Sequence, residues 1–238
     1  MKILAIDSSG LVASVAVVTE DNLMAEYTIN YKKTHSQTLL PMLDEIVKMI
    51  DLDLKDIDAI AVASGPGSFT GLRIGSATAK GLGLALNKPI IGIPTVDGLA
   101  YNIYGTNKLI CPLMDARRNQ VYTGIYEYNN NEFCIVEPQK AVSIEEIVME
   151  VNQLNRSVIF LGDGVEVYKE QLQELIQVPF EFAPPHLSKQ RAASVGALGV
   201  IYYKKGLLED ADDHEPTYLR LSQAERELAE KQAAGLQQ

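Results

Sequence analysis

The 238-residue chain has no tryptophan and few of the residues that usually bind metals or form disulfides. Its two cysteines, Cys111 and Cys134, are too few for a disulfide framework, and we expect two buried thiols in a reducing cytoplasm. The histidines at 35, 186 and 214 are far apart in the sequence, and the acids beside His214 belong to a charged loop. The sequence therefore predicts no metal site.

Long apolar runs and an excess of basic charge are also missing. No run reaches the length of a membrane span, and the first residues lack a signal-peptide pattern, so we expect a cytoplasmic protein. The 31 acidic residues outnumber the 21 basic ones and give a net charge of −10. This charge argues against a broad nucleic-acid-binding surface, because phosphates would be repelled. RNA is expected to be held by a partner, with at most a local contact through Arg117, Arg118 or Lys80.

Glycine, by contrast, is concentrated in residues 64–87, where a glycine-rich loop leads into a segment with helical spacing. Small residues recur every four positions, in one row at Gly71, Gly75, Ala79 and Gly83 and in a second row at Ala77, Gly81 and Ala85. Residues four apart share a helix face. Each glycine costs a helix about 1 kcal/mol relative to alanine, so we expect a close approach to this backbone. The protein's own sheet, a ligand and another protein's helix are the three alternatives.

The loop at 65–71 could bind phosphate, because N–H groups at a helix N-terminus attract anions. It lacks the Lys-Ser/Thr pair that follows the last glycine of a P-loop. Ser68 also lacks the sequence context of a catalytic nucleophile elbow. We favour a tight turn in which Ser68 caps the following helix.

Hydrophobic patterning predicts the element order β-β-β-α-β-α-β-α twice. The first half has strands at 3–6, 12–19, 23–30, 58–63 and 90–93, and helices that begin near Ser36, after the glycine loop and at Thr95. The second half has strands at 109–114, 120–128, 132–137, 158–161 and 180–182. Its helices are expected at 143–154, where Ser143 and Glu146 form a capping box, and at 168–176 and 188–205. We predict domains at 1–107 and 108–220, followed by a short helix or tail at 221–238.

The first strand of each half ends in an aspartate, Asp7 in one and Asp115 in the other. If the two halves face each other, these residues flank a cleft, where ligands commonly bind. Ser8, Gly162 and Gly164 lie in the adjoining turns and complete a candidate nucleotide cleft. Neither hairpin turn has a glycine-rich phosphate grip, so we expect weak or no nucleotide binding rather than an ATPase.

Four segments resemble a known family: ILAIDSS at 3–9, HSQTLLPML at 35–43, the block from Ser64 to Ala100, and MDARRNQVY at 114–122. Together with the duplicated order, they resemble the TsaB (YeaZ) family of the ASKHA, or actin-like, superfamily over nearly the whole chain. The resemblance implies an α/β fold of two tandem RNase H-like domains. It also implies the dimerisation subunit of the bacterial complex that places threonylcarbamoyl on N6 of adenosine 37 (t6A) in tRNAs that read ANN codons.

In TsaD, the catalytic paralogue, the glycine block is followed by an H-x-x-x-H metal pair. This chain has Thr95 and Leu99 at those positions, neither of which is a usual metal ligand. We therefore expect a non-catalytic subunit with no required cofactor. A stand-alone ASKHA phosphotransferase or metallopeptidase is the alternative.

The resemblance further implies a heterodimer with TsaD, contact with TsaE through the complex, and tRNA bound indirectly. ATP or ADP could lie at the partner interface, and a homodimer could form in the absence of the partner. The broad apolar helix at 39–50 and the helix with small residues that follows the glycine loop are the expected partner surface. Its predicted contact residues are Gly71, Gly75, Ala79, Gly83, Leu39, Met42, Leu43 and Ile46.

Overall fold

A computed structural model describes residues 1–31 and 34–220, so the predicted C-terminal helix or tail at 221–238 lies outside the described residues. The first half contains β1 (Lys2–Asp7), β2 (Val12–Thr19), β3 (Leu23–Asn30), α1 (His35–Met49), β4 (Ala59–Gly65), α2 (Phe69–Leu86), β5 (Ile90–Pro94) and α3 (Thr95–Ala100). The second half contains β6 (Leu109–Asp115), β7 (Gln120–Asn129), β8 (Glu132–Ser143), α4 (Ile144–Leu154), β9 (Val158–Leu161), α5 (Gly164–Leu175), β10 (Phe180–Phe182) and α6 (Ala192–Lys204). A short 3-10 turn at Leu54–Asp56 precedes β4. The predicted duplication is confirmed.

Each half forms one five-stranded sheet, with the orders β3-β2-β1-β4-β5 and β10-β9-β6-β7-β8. Three strands pair antiparallel through short turns, and the remaining two add in parallel after helical crossovers. The central strands β1 and β4 are almost fully buried, because helices cover both faces of the first sheet. Strands buried on both faces read as continuous apolar runs, which matches their sequences.

The last helix of each half packs on the sheet of the other half. Helix α6 packs on the first sheet, where Val195 and Leu198 join the apolar side chains of β1, β4 and β5. Helix α3 packs on the second sheet, where Val96 and Leu99 contact Ile110 and its neighbours. The predicted boundary at 107/108 therefore separates the two sheets, but each sheet takes one covering helix from the other half.

The start of α6 shows why its predicted start at Ser188 is wrong. The helix begins at Ala192, and its first N–H groups are bound by residues distant in sequence. Ala192 N donates to Ser14 Oγ at 2.9 Å, and Ala193 N donates to Glu26 Oε1 at 3.1 Å. Side chains from β2 and β3 thus accept hydrogen bonds from the N–H groups that an N-cap residue usually binds.

Other predicted boundaries also differ from those in the structure. Helix α1 begins at His35 rather than after a Ser36 cap, α3 is a six-residue helix, α5 begins at Gly164, and β8 runs on to Ser143. The caps with a local signal are confirmed. Ser68 Oγ accepts from Gly71 N, and Ser143 forms its capping box with Glu146.

Candidate functional site

The inner row of α2, which we define as Gly71, Gly75, Ala79 and Gly83, faces the first sheet. A Cβ on Gly71 would lie 2.1 Å from the backbone oxygen of Ser8, and one on Gly75 would lie 2.5 Å from Ser8 Oγ. Ser8 Oγ also donates to Gly71 O at 2.8 Å. The close approach implied by the glycines is therefore made by the protein's own β1–β2 turn, which only residues without side chains can accommodate.

The predicted partner contacts consequently need correction. All eight residues are buried inside the chain: Gly71, Gly75, Ala79 and Gly83 on α2, and Leu39, Met42, Leu43 and Ile46 on α1. The four α1 side chains and Ala79 belong to one apolar core with β1, β2 and β4. Helical spacing identified an apolar face correctly, but that face serves the core and is not available to a partner.

The outer row of α2, defined as Ala77, Gly81 and Ala85, has the opposite environment. All three residues are exposed, and a Cβ on Gly81 would meet no atom within 4 Å. Leu84 beside them is 55% exposed, and Leu40 on the neighbouring helix α1 is 54% exposed. This part of α1 and α2 is an open surface of small and apolar residues.

A cleft of about 610 Å³ opens between the two halves, at the ends of β1 and β6. Of the five predicted cleft residues, only Asp115 lines it. Asp7 and Ser8 are buried, Ser8 against Gly71 and Gly75 of α2. The two glycines pack on β6, where a Cβ on Gly162 would lie 2.1 Å from Leu113 O. The predicted position of the cleft is correct, but four of its predicted lining residues are wrong.

Several lining residues are not among the five that were predicted. They are Phe69 from α2, Arg117 from the β6–β7 turn, Asp163 before α5, and Tyr218 and Arg220 near the end of the described chain. Tyr218 and Arg220 are remote in sequence from the rest. The PTYLR segment that contains them has no recognisable site pattern.

Residues 207–220, here called the strap, bring Tyr218 and Arg220 to the cleft. Glu209 pairs with Ile90 at the edge of the first sheet, and Thr217 N donates to Ser64 O at 2.7 Å. Arg220 Nη1 donates to Ala116 O at 2.6 Å on the second half. The strap therefore contacts both halves. Its acids at 209, 210, 212 and 213 are exposed, as expected from their charges, whereas His214 is buried with Nδ1 2.7 Å from Glu209 Oε2.

The carboxylates around the cleft differ in environment. Burial raises the pKa of Asp7, and hydrogen bonds from Ser9 oppose this shift. Burial also raises the pKa of Asp163, which accepts a hydrogen bond from Asp115 N at 3.2 Å. Asp115 and Asp163 thus place two half-buried carboxyl groups on the cleft wall.

The positions of the TsaD metal pair have structural roles in this chain. Thr95 is fully buried, and its Oγ1 accepts a hydrogen bond from Gly65 N at 3.0 Å. Leu99 is buried in the core that joins α3 to the second sheet. Among residues 1–31 and 34–220, no group of three or more His, Cys, Asp or Glu side chains is placed to hold a metal ion. The described helices include none long and apolar enough to cross a membrane.

Comparison with known proteins gives consistent matches. Residues 22–234 match the sequence model of a family described as TsaD: tRNA N6-adenosine threonylcarbamoyltransferase. The chain is 34% identical to the tRNA threonylcarbamoyladenosine biosynthesis protein TsaB of Bacillus subtilis, over 98% of this chain and all of that protein. It is 31% identical to the protein of the same name from Escherichia coli, with the same coverage. The solved structure of YeaZ from Pseudomonas aeruginosa matches with a TM-score of 0.79 and 26% identity, over 92% of this chain and 99% of that one.

Proposed function

Because the chain belongs to the TsaB family of tRNA threonylcarbamoyladenosine biosynthesis proteins, we propose that it is a non-catalytic subunit that binds a TsaD-type partner. In this role it enables that partner to transfer threonylcarbamoyl to tRNA in the cytoplasm, with TsaE joining through the complex. The observation that carries the proposal is that Thr95 and Leu99 have structural roles in this chain. At the two positions where TsaD carries metal ligands, this chain has Thr95, which accepts a hydrogen bond from Gly65 N, and Leu99, which packs in the core.

The outer row of α2 is the proposed partner surface. Rows of small residues let two helix axes approach closely, so that backbone and Cβ contacts replace long side chains. Leu84 on α2 and Leu40 on the neighbouring helix α1 add exposed apolar area to this helix pair. The same surface is expected to support a homodimer when no partner is present, because an exposed apolar face favours self-association.

Size-exclusion chromatography with purified TsaD from the same organism tests partner binding. The wild-type chain should co-elute with TsaD, and Gly81→Leu should abolish co-elution because its side chain would hold the helices apart. Gly81 has no atom within 4 Å of its Cβ position, so this variant should remain folded. Gln173→Leu adds the same exposed side chain to α5 and is the matched control.

Two results would contradict these assignments. A folded Gly81→Leu variant that binds TsaD normally would show that the outer row is not the interface. A wild-type chain that never binds TsaD would contradict the proposed role itself.

Activity measurements separate this role from a stand-alone phosphotransferase or metallopeptidase. The isolated chain should show no ATP turnover, peptide cleavage or threonylcarbamoyl transfer, whereas its addition should stimulate transfer by TsaD. Steady ATP turnover by the isolated chain, lost in Asp115→Asn on the cleft wall, would favour the phosphotransferase. No cofactor is proposed for the chain alone, and ATP or ADP at the partner interface is tested by the same chromatography with added nucleotide.

A further inference from the structure

The arginines of this acidic chain are distributed unevenly. The structure describes six of them. Arg156 and Arg191 form salt bridges with Glu127 and Glu26, away from the cleft. The other four lie around the cleft mouth and form no salt bridge with any carboxylate of residues 1–31 and 34–220. We call these four the rim arginines: Arg73, Arg117, Arg118 and Arg220.

Three separate elements bring the rim arginines together. Arg117 and Arg220 line the cleft, and Arg220 is fixed by its hydrogen bond to Ala116 O. Arg118 follows Arg117 in the same exposed turn. Arg73, from α2, lies 4.0 Å above the ring of Phe69. An unpaired guanidinium presents a fork of donors that matches phosphate oxygens.

An aromatic pair lies between these charges. The rings of Phe69 and Tyr218 are 4.7 Å apart, and Arg73 Nε lies 3.4 Å from the Tyr218 hydroxyl. Tyr218 is 39% exposed, so one side of this pair is open to solvent. Exposed aromatic rings beside arginines are typical of sites that bind single-stranded nucleic acid, where bases stack and phosphates meet the charges.

The cleft interior disfavours a compact polyphosphate in the absence of a metal. Asp115 and Asp163 lie on its wall and would repel phosphate groups that entered. The rim arginines, in contrast, are spread over α2, the β6–β7 turn and the strap. Such a distribution fits an extended polyanion that passes across the mouth better than a small one inside it.

We propose that the rim arginines and Tyr218 bind a single-stranded RNA segment, with phosphates on the arginines and one base stacked on Tyr218. The proposal rests on the proposed function, because a subunit of a tRNA-modifying complex works beside a tRNA. It extends the local RNA contact that the sequence allowed at Arg117 and Arg118, and it adds a direct contact to the indirect tRNA binding expected through the complex. The net charge of −10 confines the contact to this patch and does not prevent it.

Fluorescence anisotropy with the full chain and a labelled, unmodified anticodon stem-loop RNA tests the proposal. Arg117→Gln and Arg118→Gln should each weaken binding about fivefold and lower the slope of log affinity against log salt by about 0.7. Tyr218→Ala should weaken binding about tenfold, whereas Tyr218→Phe should retain it, because stacking needs only the ring. Arg156→Gln removes the same charge outside the cleft and should have little effect.

The outcomes separate specific RNA contact from nonspecific charge attraction and from a nucleotide site. Equal losses in Arg117→Gln and Arg156→Gln would overturn the proposal in favour of nonspecific charge. Full displacement of the RNA by ATP would overturn it in favour of a nucleotide site, and the absence of RNA binding by the wild-type chain would overturn it outright. TsaD co-elution of the same variants is measured in parallel. Arginine-dependent RNA binding without TsaD binding would refute only the proposed function, and the converse would refute only this inference.

Discussion

The two aspartate turns occupy equivalent places in the duplicated fold but have different environments. Asp7 and Asp115 each accept a hydrogen bond from the backbone N–H two residues later, at 2.9 and 2.8 Å. Asp7 is only 2% exposed, whereas the second turn is exposed from Arg117 to Asn119. The hydrogen bond that follows each strand is therefore alike, and what packs on the turn differs.

The helices that follow explain this difference. Glycines of α2 lie directly against Ser8, so the first turn is buried under that helix. In the second half, Gly162 and Gly164 pack on Leu113 within β6, which leaves the β6–β7 turn exposed at the cleft mouth. Ser8 and Ser9 of the first turn are thus buried, whereas the second turn presents arginines. A shared fold position does not imply a shared role.

The largest expected effect comes from a side chain placed between α2 and the first turn. Gly71→Ala puts a Cβ 2.1 Å from the backbone oxygen of Ser8, which no rotamer change relieves. We expect the free energy of unfolding to fall by about 3 kcal/mol, measured by urea denaturation.

Gly81→Ala is the matched control on the same helix. Its Cβ position is open, so this variant should be about 1 kcal/mol more stable than the wild type through helix propensity. Equal changes in the two variants would show that the inner and outer rows do not differ as described.

A pH-dependent effect is expected next, at Asp7. Burial raises the pKa of Asp7 above its usual value of 3.8. Between 3.8 and the raised folded value the native state binds more protons than the unfolded state, so wild-type stability falls as the pH rises across this interval. Asp7→Asn keeps an acceptor for Ser9 and removes the charge. Its stability relative to the wild type should therefore increase with pH, measured by urea denaturation from about pH 4 to about pH 8.

Asp53→Asn serves as the control for this measurement. Asp53 accepts the same type of hydrogen bond from Lys55 N at 2.9 Å, but its side chain is exposed. If the stability difference between Asp7→Asn and wild type stays constant with pH, the buried environment assigned to the first turn is incorrect.

The sequence predicts the features that depend on neighbouring residues. Strands β2, β3, β9 and β10 have the predicted bounds, and the caps at Ser68 and Ser143 are confirmed. The helical order and the duplication follow from hydrophobic spacing alone. These features are local, so a linear pattern is sufficient to identify them.

Features that depend on distant segments could not be predicted from the linear pattern. The start of α6 depends on Ser14 and Glu26, and the packing of the inner row of α2 depends on Ser8. Spacing shows that α2 has two small-residue rows, but it does not show which row faces the sheet. The cleft was placed correctly from strand ends, yet Tyr218 and Arg220 reach it only because the strap crosses both halves.

The smallest expected change in stability comes from the second turn. Arg117, Arg118 and Asn119 have φ values of 62°, 58° and 58°, in the left-handed region that costs an ordinary residue about 1–2 kcal/mol. Arg118→Gly removes that cost but gives the unfolded chain more freedom, so the free energy of unfolding, measured by urea denaturation, is expected to rise by about 0.5 kcal/mol.

Ser9→Gly in the first turn should instead lower the free energy of unfolding by about 1 kcal/mol, because the 2.6 Å hydrogen bond from Ser9 Oγ to Asp7 disappears. If Arg118→Gly is more stable but binds RNA less tightly, the strained backbone is retained for the arginine it carries. If it gains no stability, strain does not distinguish the two turns, and their difference lies in burial alone.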